Sequence, residues 1–177
     1  IVRNQVIIKG WLKYNLVEYL QRRNPNVPGV IDKLYPPQER KLEDIQKYWK
    51  LIMTVQPVVE IYGNGELTEK DISIDHFVPW SYVANDEIWN LHPTTKSINS
   101  SKSNHLPRWD VYFKKLSGLE YLSYQLMWRH DGIRKEFERI KKKHLNSPLV
   151  EGRLYAPNLS GEEFCDRLSE IVLPVYQ

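Results

Sequence analysis

Cysteine is nearly absent from this 177-residue chain, with Cys165 the single one. One cysteine excludes an internal disulfide and any zinc site built on cysteine pairs. Cys165 is expected to be a small buried hydrophobe on a C-terminal helix. Without disulfides, the cytoplasm is the default compartment. Long apolar runs are missing too: none approaches the ~18 residues that a membrane helix needs. The opening IVRNQVIIKGW has neither the apolar stretch nor the small-residue cleavage site of a signal peptide. It also lacks an initiator Met, which we read as a piece of a longer protein with a domain upstream. Eight glycines and eleven prolines are ordinary counts, so collagen-like and disordered classes are excluded.

The net charge of +3 says little, but its distribution says more. From Glu60 to Glu87, seven acids face the single base Lys70. That stretch repels nucleic acid unless a cation sits in it. Between Arg134 and Lys143, six bases face Glu136 and Glu138. Such a helix face is either simply solvated or a surface that follows phosphates.

Apolar periodicity predicts a helix over 5–21, ended by the Pro/Gly stretch NPNVPG at 24–29. A second helix is predicted from Pro37 to Gln56. Its stripe of Leu42, Ile45, Trp49 and Ile52 faces the core, and Pro57 closes it. VVEIYGNGEL reads as an extended piece with a Gly-Asn-Gly turn. ISIDHF alternates as a half-buried strand does and should end near Pro79. IWNLHP is a second strand candidate, and TTKSINSSKS a short helix with Thr/Ser caps, closed by Pro107. Helices are predicted at 108–117, 119–130, 133–145 and 161–172, the last opened by a Ser160/Glu163 capping box. The fold class is α+β and mostly helical. Residues 58–107 form a small strand–loop–strand–helix core between helical parts at 1–57 and 108–177, in one compact domain.

Within IDHFVPWSYVANDEIWNLHPTTKSINSSKSNHLP, Asp75 stands beside His76, and Asn90 and Asn99 follow that acid by 15 and 24 residues. Phosphodiester hydrolysis needs a base for water, a cation for the phosphate charge and a frame for both. The reference pKa of imidazole, about 6.5, suits His76 as the base. Asp75 is a hard oxygen ligand for a divalent cation, and Asn99 offers a second oxygen from the helix. Lys102, three residues on along the same helical face, can reach a phosphate oxygen. Taken alone, an Asp-His pair is usually structural, and Asn90 and Asn99 are turn or cap residues.

Taken together, IDHFVPWS…WN…INSSKS…LP resembles the HNH nuclease family, the ββα-metal nucleases. The match spans Ile72 to Pro107, or 36 residues. It is nearest the Asp-His…Asn…Asn form found in the HNH domain of RNA-guided CRISPR effector nucleases. The helical remainder is similar to the flanks of bacterial standalone HNH proteins. The resemblance implies a core of two short antiparallel strands and a helix that cleaves DNA with one divalent cation. Mg2+ is the expected ion, with Mn2+ or another divalent as the alternative. His76 matches the general base, Asp75 and Asn99 the metal ligands, and Lys102 a nearby basic residue. Asn90 matches the Asn that holds the loop between the strands.

Many members carry two cysteine pairs around this motif for a structural zinc, and this chain does not, so no structural zinc is expected. Packing must hold the core instead, with Trp80, Tyr82 and Trp89 as fillers. His105 is an alternative ligand to Asn99. His92, His130 and His144 are expected as surface or partly buried polar residues, and most of the six Trp and eleven Tyr as core. DNA is the expected partner, with no membrane, and an upstream domain or partner protein supplies specificity. Two rivals stand beside this reading: an inactive HNH-fold module that binds nucleic acid, and an HNH nuclease that takes RNA.

Overall fold

A computed structural model describes residues 4–23, 42–83 and 85–176. The NPNVPG turn and the first residues of the predicted second helix lie outside the described residues. The elements are helices α1 (Gln5–Arg23) and α2 (Glu43–Met53), strands β1 (Ile72–His76) and β2 (Leu91–Thr95), and helices α3 (Lys96–Lys102), α4 (Trp109–Arg129), α5 (Asp131–His144), α6 (Pro148–Leu154) and α7 (Gly161–Val172). Short 3-10 turns cover Ile88–Asn90 and Leu173–Val175. The class is α+β and mostly helical, as the periodicity indicates.

β1 and β2 pair antiparallel, with Ile72 opposite Thr95, Ile74 opposite Pro93, Asp75 opposite His92 and His76 opposite Leu91. Among the described residues the sheet has two strands, so both are edge strands. That is why Pro93 is tolerated: its missing N–H falls on an edge that needs no donor. The predicted second strand is displaced toward the C-terminus. Ile88 to Asn90 form a 3-10 turn instead, because Asn90 turns inward to bond Val78. Ahead of the hairpin, Val59 bridges Glu66 across the predicted Gly-Asn-Gly turn.

Helix α2 backs this hairpin. Its periodic Ile45, Trp49 and Ile52 are buried, each such side chain contributing about 1.5–3 kcal/mol. Two polar anchors fix its register: Trp49 Nε1 donates to Leu91 O at 2.9 Å, and Gln46 Nε2 donates to Ile72 O at 2.8 Å. Both strands are thus held by one helix.

Helices α4, α5 and α7 complete the core through Leu116, Phe137, Ile140, Phe164 and Leu168. Helix α4 runs unbroken through Gly118, where two helices are predicted. A mid-helix glycine costs about 1 kcal/mol, and burial of Leu116 and Leu119 on either side outweighs it. Helix α6 is an addition, with Ser147 as its N-cap and Pro148 in the first turn. Helix α7 carries the predicted capping box, and Cys165 on it is half-buried rather than buried. The expectation that aromatics sit in the core fails on α1, where Trp11, Tyr14 and Tyr19 are exposed.

Candidate active site

The site forms where β1 ends. Adjacent strand residues point to opposite faces, so Asp75 and His76 meet different neighbours. Asp75 is 4% exposed. Its Oδ2 accepts a hydrogen bond from the Tyr62 hydroxyl at 3.1 Å, and Lys102 Nζ lies 3.2 Å from its carboxylate. His76, on the other side, has its Nε2 2.6 Å from Asp86 Oδ1 and its ring 6.0 Å from that of Trp80.

Helix α3 reaches back over the same strand end. Thr95 caps it, its side chain accepting from Ile98 N at 3.2 Å. Asn99 and Lys102, three residues apart, share its inner face. Asn99 Nδ2 donates to Ser73 Oγ and to Ile74 O, both at 3.0 Å. With the amide nitrogen so engaged, Oδ1 is the atom left for a ligand. Lys102 Nζ donates to His76 O at 2.8 Å as well as to Asp75. The ammonium is therefore held inside the site, bridging the two residues of the Asp-His pair.

Asn90 is fully buried. Its Oδ1 accepts from Val78 N at 2.7 Å and its Nδ2 donates to Val78 O at 2.9 Å, while its own carbonyl accepts from Phe77 N at 3.0 Å. It ties the start of the β1–β2 loop to the start of β2.

The electrostatics follow from burial. Desolvation raises the Asp75 pKa above the usual carboxylate value, opposed by the Lys102 ammonium, the Tyr62 hydrogen bond and the His76 charge. The Lys102 pKa is lowered by the same desolvation, against the attraction of Asp75. Lys102 and Asp75 are thus a buried pair whose desolvation cost offsets much of its attraction.

His92 departs from expectation. It is wholly buried, both ring nitrogens lack a hydrogen-bond partner, and Nε2 stands 3.7 Å from Asp75 Oδ2. Burial, with Lys102 and His76 adding to it, pushes its pKa down to about 3, so it packs as a neutral ring beside Tyr62 and Phe77. His144 is also buried, whereas His130 and His105 are exposed, and His105 Nδ1 is engaged with Lys102 O at 2.9 Å. Of the expected fillers, Trp89 is buried and Trp80 half-buried, but Tyr82 is 48% exposed.

Tyr62 and Asp86 went unsingled by sequence reasoning. Tyr62 lies 13 residues ahead of Asp75 and carries no local signal. Asp86 did carry one: an acid in the loop between the Asp-His pair and the buried Asn. The acidic stretch is partly internal. Glu60 accepts from Thr94 Oγ1 at 3.0 Å and from Gly63 N, and Glu87 accepts from Asn146. On α5, Arg139, Lys141 and Lys143 are paired with acids, so much of the basic run is neutralised locally.

Among the described residues, no group of three or more His, Cys, Asp or Glu side chains is arranged to hold a metal ion. No described helix is long and apolar enough to cross a membrane. No curated protein and no solved structure matches the chain. Residues 60–108 match the family model of the HNH endonuclease. That span contains the hairpin, α3 and every residue that converges on the end of β1, and it is an HNH endonuclease-family domain.

Proposed function

We propose that the protein is a metal-dependent endonuclease that hydrolyses DNA phosphodiester bonds at the end of β1. One observation carries the proposal: Asp75, His76, Asn99 and Lys102 converge on a single strand end, each tied there by hydrogen bonds. His76 is the general base and takes the proton of the attacking water. Asp75 and the Asn99 amide oxygen are the ligands for one divalent cation, magnesium or manganese. The donors fit such an ion: both are hard oxygens, and magnesium keeps several waters, so two protein ligands suffice. When bound, the cation supplies charge neutralisation at the phosphate and the leaving oxygen. Lys102 holds the carboxylate and the His76 carbonyl in register and brings a positive charge to the phosphate side. Asn90 transfers no proton and fixes the loop that faces His76.

A second reading is an inactive nucleic-acid-binding module. The Lys102–Asp75 contact favours it, because a tethered ammonium can neutralise the carboxylate without a metal. Supercoiled plasmid incubated with magnesium or manganese, wild type beside His76→Ala, separates the two. Loss of the base should lower the rate on the order of 10²–10⁴-fold with the fold intact. Equal rates in the two proteins refute the nuclease mechanism, and no cleavage by wild type with any divalent ion leaves the inactive module. Single-stranded RNA and DNA oligonucleotides in parallel identify the substrate.

A further inference from the structure

Asp86 sits in the β1–β2 loop, and its Oδ1 is 2.6 Å from His76 Nε2. The two side chains are 7% and 18% exposed, so the contact is largely shielded from water. An imidazole acting as a base carries a proton on one nitrogen and a lone pair on the other. An ionised carboxylate only accepts hydrogen bonds. Nε2 must then carry the proton, which leaves the lone pair on Nδ1. Among the described residues, Nδ1 has no hydrogen-bond partner.

The loop segment bearing Asp86 is fastened from outside the hairpin. His144 Nδ1, at the end of α5, donates to Asp86 O at 3.1 Å. The neighbouring Glu87 carboxylate accepts from Asn146 N at 3.2 Å and from Asn146 Nδ2 at 3.0 Å. Both anchors lie beyond the segment 60–108 that matches the family model. The C-terminal helical part therefore grips the loop that faces His76.

We infer, building on His76 as the general base, that Asp86 is a positioning residue that holds the imidazole in the Nε2–H tautomer and turns Nδ1 toward the attacking water. In the step itself, the water proton passes to Nδ1, and the electron pair of the broken O–H bond stays on the oxygen that attacks phosphorus. Asp86 gains no proton. Its role parallels that of the buried carboxylate in a Ser-His-Asp triad, which fixes the histidine tautomer without being protonated.

The test pairs a spectroscopic readout with kinetics. In chelator-treated, 15N-labelled protein, at a pH where the ring is neutral, long-range proton–nitrogen correlations report the His76 tautomer, assigned against His76→Ala. The expected tautomer is Nε2–H in wild type and a mixture in Asp86→Ala. With plasmid and magnesium, Asp86→Ala should lower kcat by about 10–100-fold, the usual effect of losing a residue that orients a functional imidazole, with KM little changed. Asp86→Asn can turn its amide NH2 to donate to Nε2, which favours the opposite tautomer, so it should show Nδ1–H and lower kcat at least as far as Asp86→Ala. It also keeps the test available if the alanine variant does not fold. An Nδ1–H tautomer in wild type overturns the inference, as does either Asp86→Ala or Asp86→Asn with tautomer and kcat like wild type's. His76→Ala separates the two levels: if it cleaves like wild type, the base assignment itself is wrong and Asp86 has nothing to position.

Discussion

Replacing Asn90 with alanine strips two hydrogen bonds from one buried residue. Val78 is wholly buried, its N–H donates to Asn90 Oδ1 at 2.7 Å, and its carbonyl accepts from Asn90 Nδ2 at 2.9 Å. A buried polar group left unpaired costs about 1–3 kcal/mol, so the two groups together cost roughly 2–6 kcal/mol. The backbone bond from Phe77 N to Asn90 O survives the substitution. A water entering the vacated polar space recovers part of the loss, which brings the expected destabilisation to about 3 kcal/mol. In a chain of this size that corresponds to a fall in Tm of about 6–12 °C. Denaturant and thermal unfolding of Asn90→Ala against wild type measure it. The control is Asn104→Ala, whose Oδ1 accepts from exposed Ser81 and which should stay within about 0.5 kcal/mol. Cleavage assayed well below both melting points should also fall, because the loop that brings Trp80 and Asp86 to His76 starts at Val78. A change below about 1 kcal/mol with full activity would refute the idea that this amide holds the loop.

Asn99→Ala should raise the divalent concentration needed for half-maximal cleavage and, by losing its bonds to Ser73 and Ile74, lower stability by about 1–2 kcal/mol. An unchanged metal titration removes Asn99 from the site and makes His105 the next residue to test. His92 titrates near 3 when folded and 6.5 as a free group, so the stability gained by burying it neutral is complete above pH 6.5 and is lost as pH falls toward 3. The limiting loss is on the order of 5 kcal/mol, and His92→Leu should flatten the wild-type decline in denaturation midpoint between pH 6.5 and 4; parallel curves for the two proteins contradict this. Buried Glu120, with its pKa raised well above 4.5 by desolvation, has the opposite sign: its contribution is complete below 4.5 and is lost as pH rises. Glu120→Gln should therefore gain on wild type as pH climbs from 5 to 8 in melting experiments, and a constant difference across that range would show that the carboxyl is not desolvated.

What the sequence disclosed is what local chemistry determines. The alternation of ISIDH, the Thr95 cap and the Ser160/Glu163 box each act within a few residues, and each marks its element. The spacing from Asp75 to Asn99 was readable because one hairpin and one helix turn bring those residues together without help from elsewhere. Gly118 misled because its cost is local and small, while the packing that overrides it lies on other helices. Helix α6 has its own local signal in Ser147-Pro148, an N-cap followed by a first-turn proline. His92 looked like a surface residue because nothing nearby marks its burial, which follows from the register that sets it opposite Asp75 and beneath Tyr62. The tie from His144 to Asp86 spans 58 residues, and no pattern along the chain announces it.

Lys102 bridges Asp75 and the His76 carbonyl, and a tethered ammonium is a counterion that cannot diffuse away. The carboxylate at the heart of the site is never left facing its neighbours as a bare charge. If the proposed metal site is right, the fold does not depend on the ion: stripping divalent ions with a chelator should silence turnover and lower the melting point only by the small linkage contribution of a weakly held cation. An arriving cation does not organise a disordered pocket. On the proposed reading it would share Asp75 with a resident one, and the concentration at which turnover begins would depend on how firmly Lys102 holds its place.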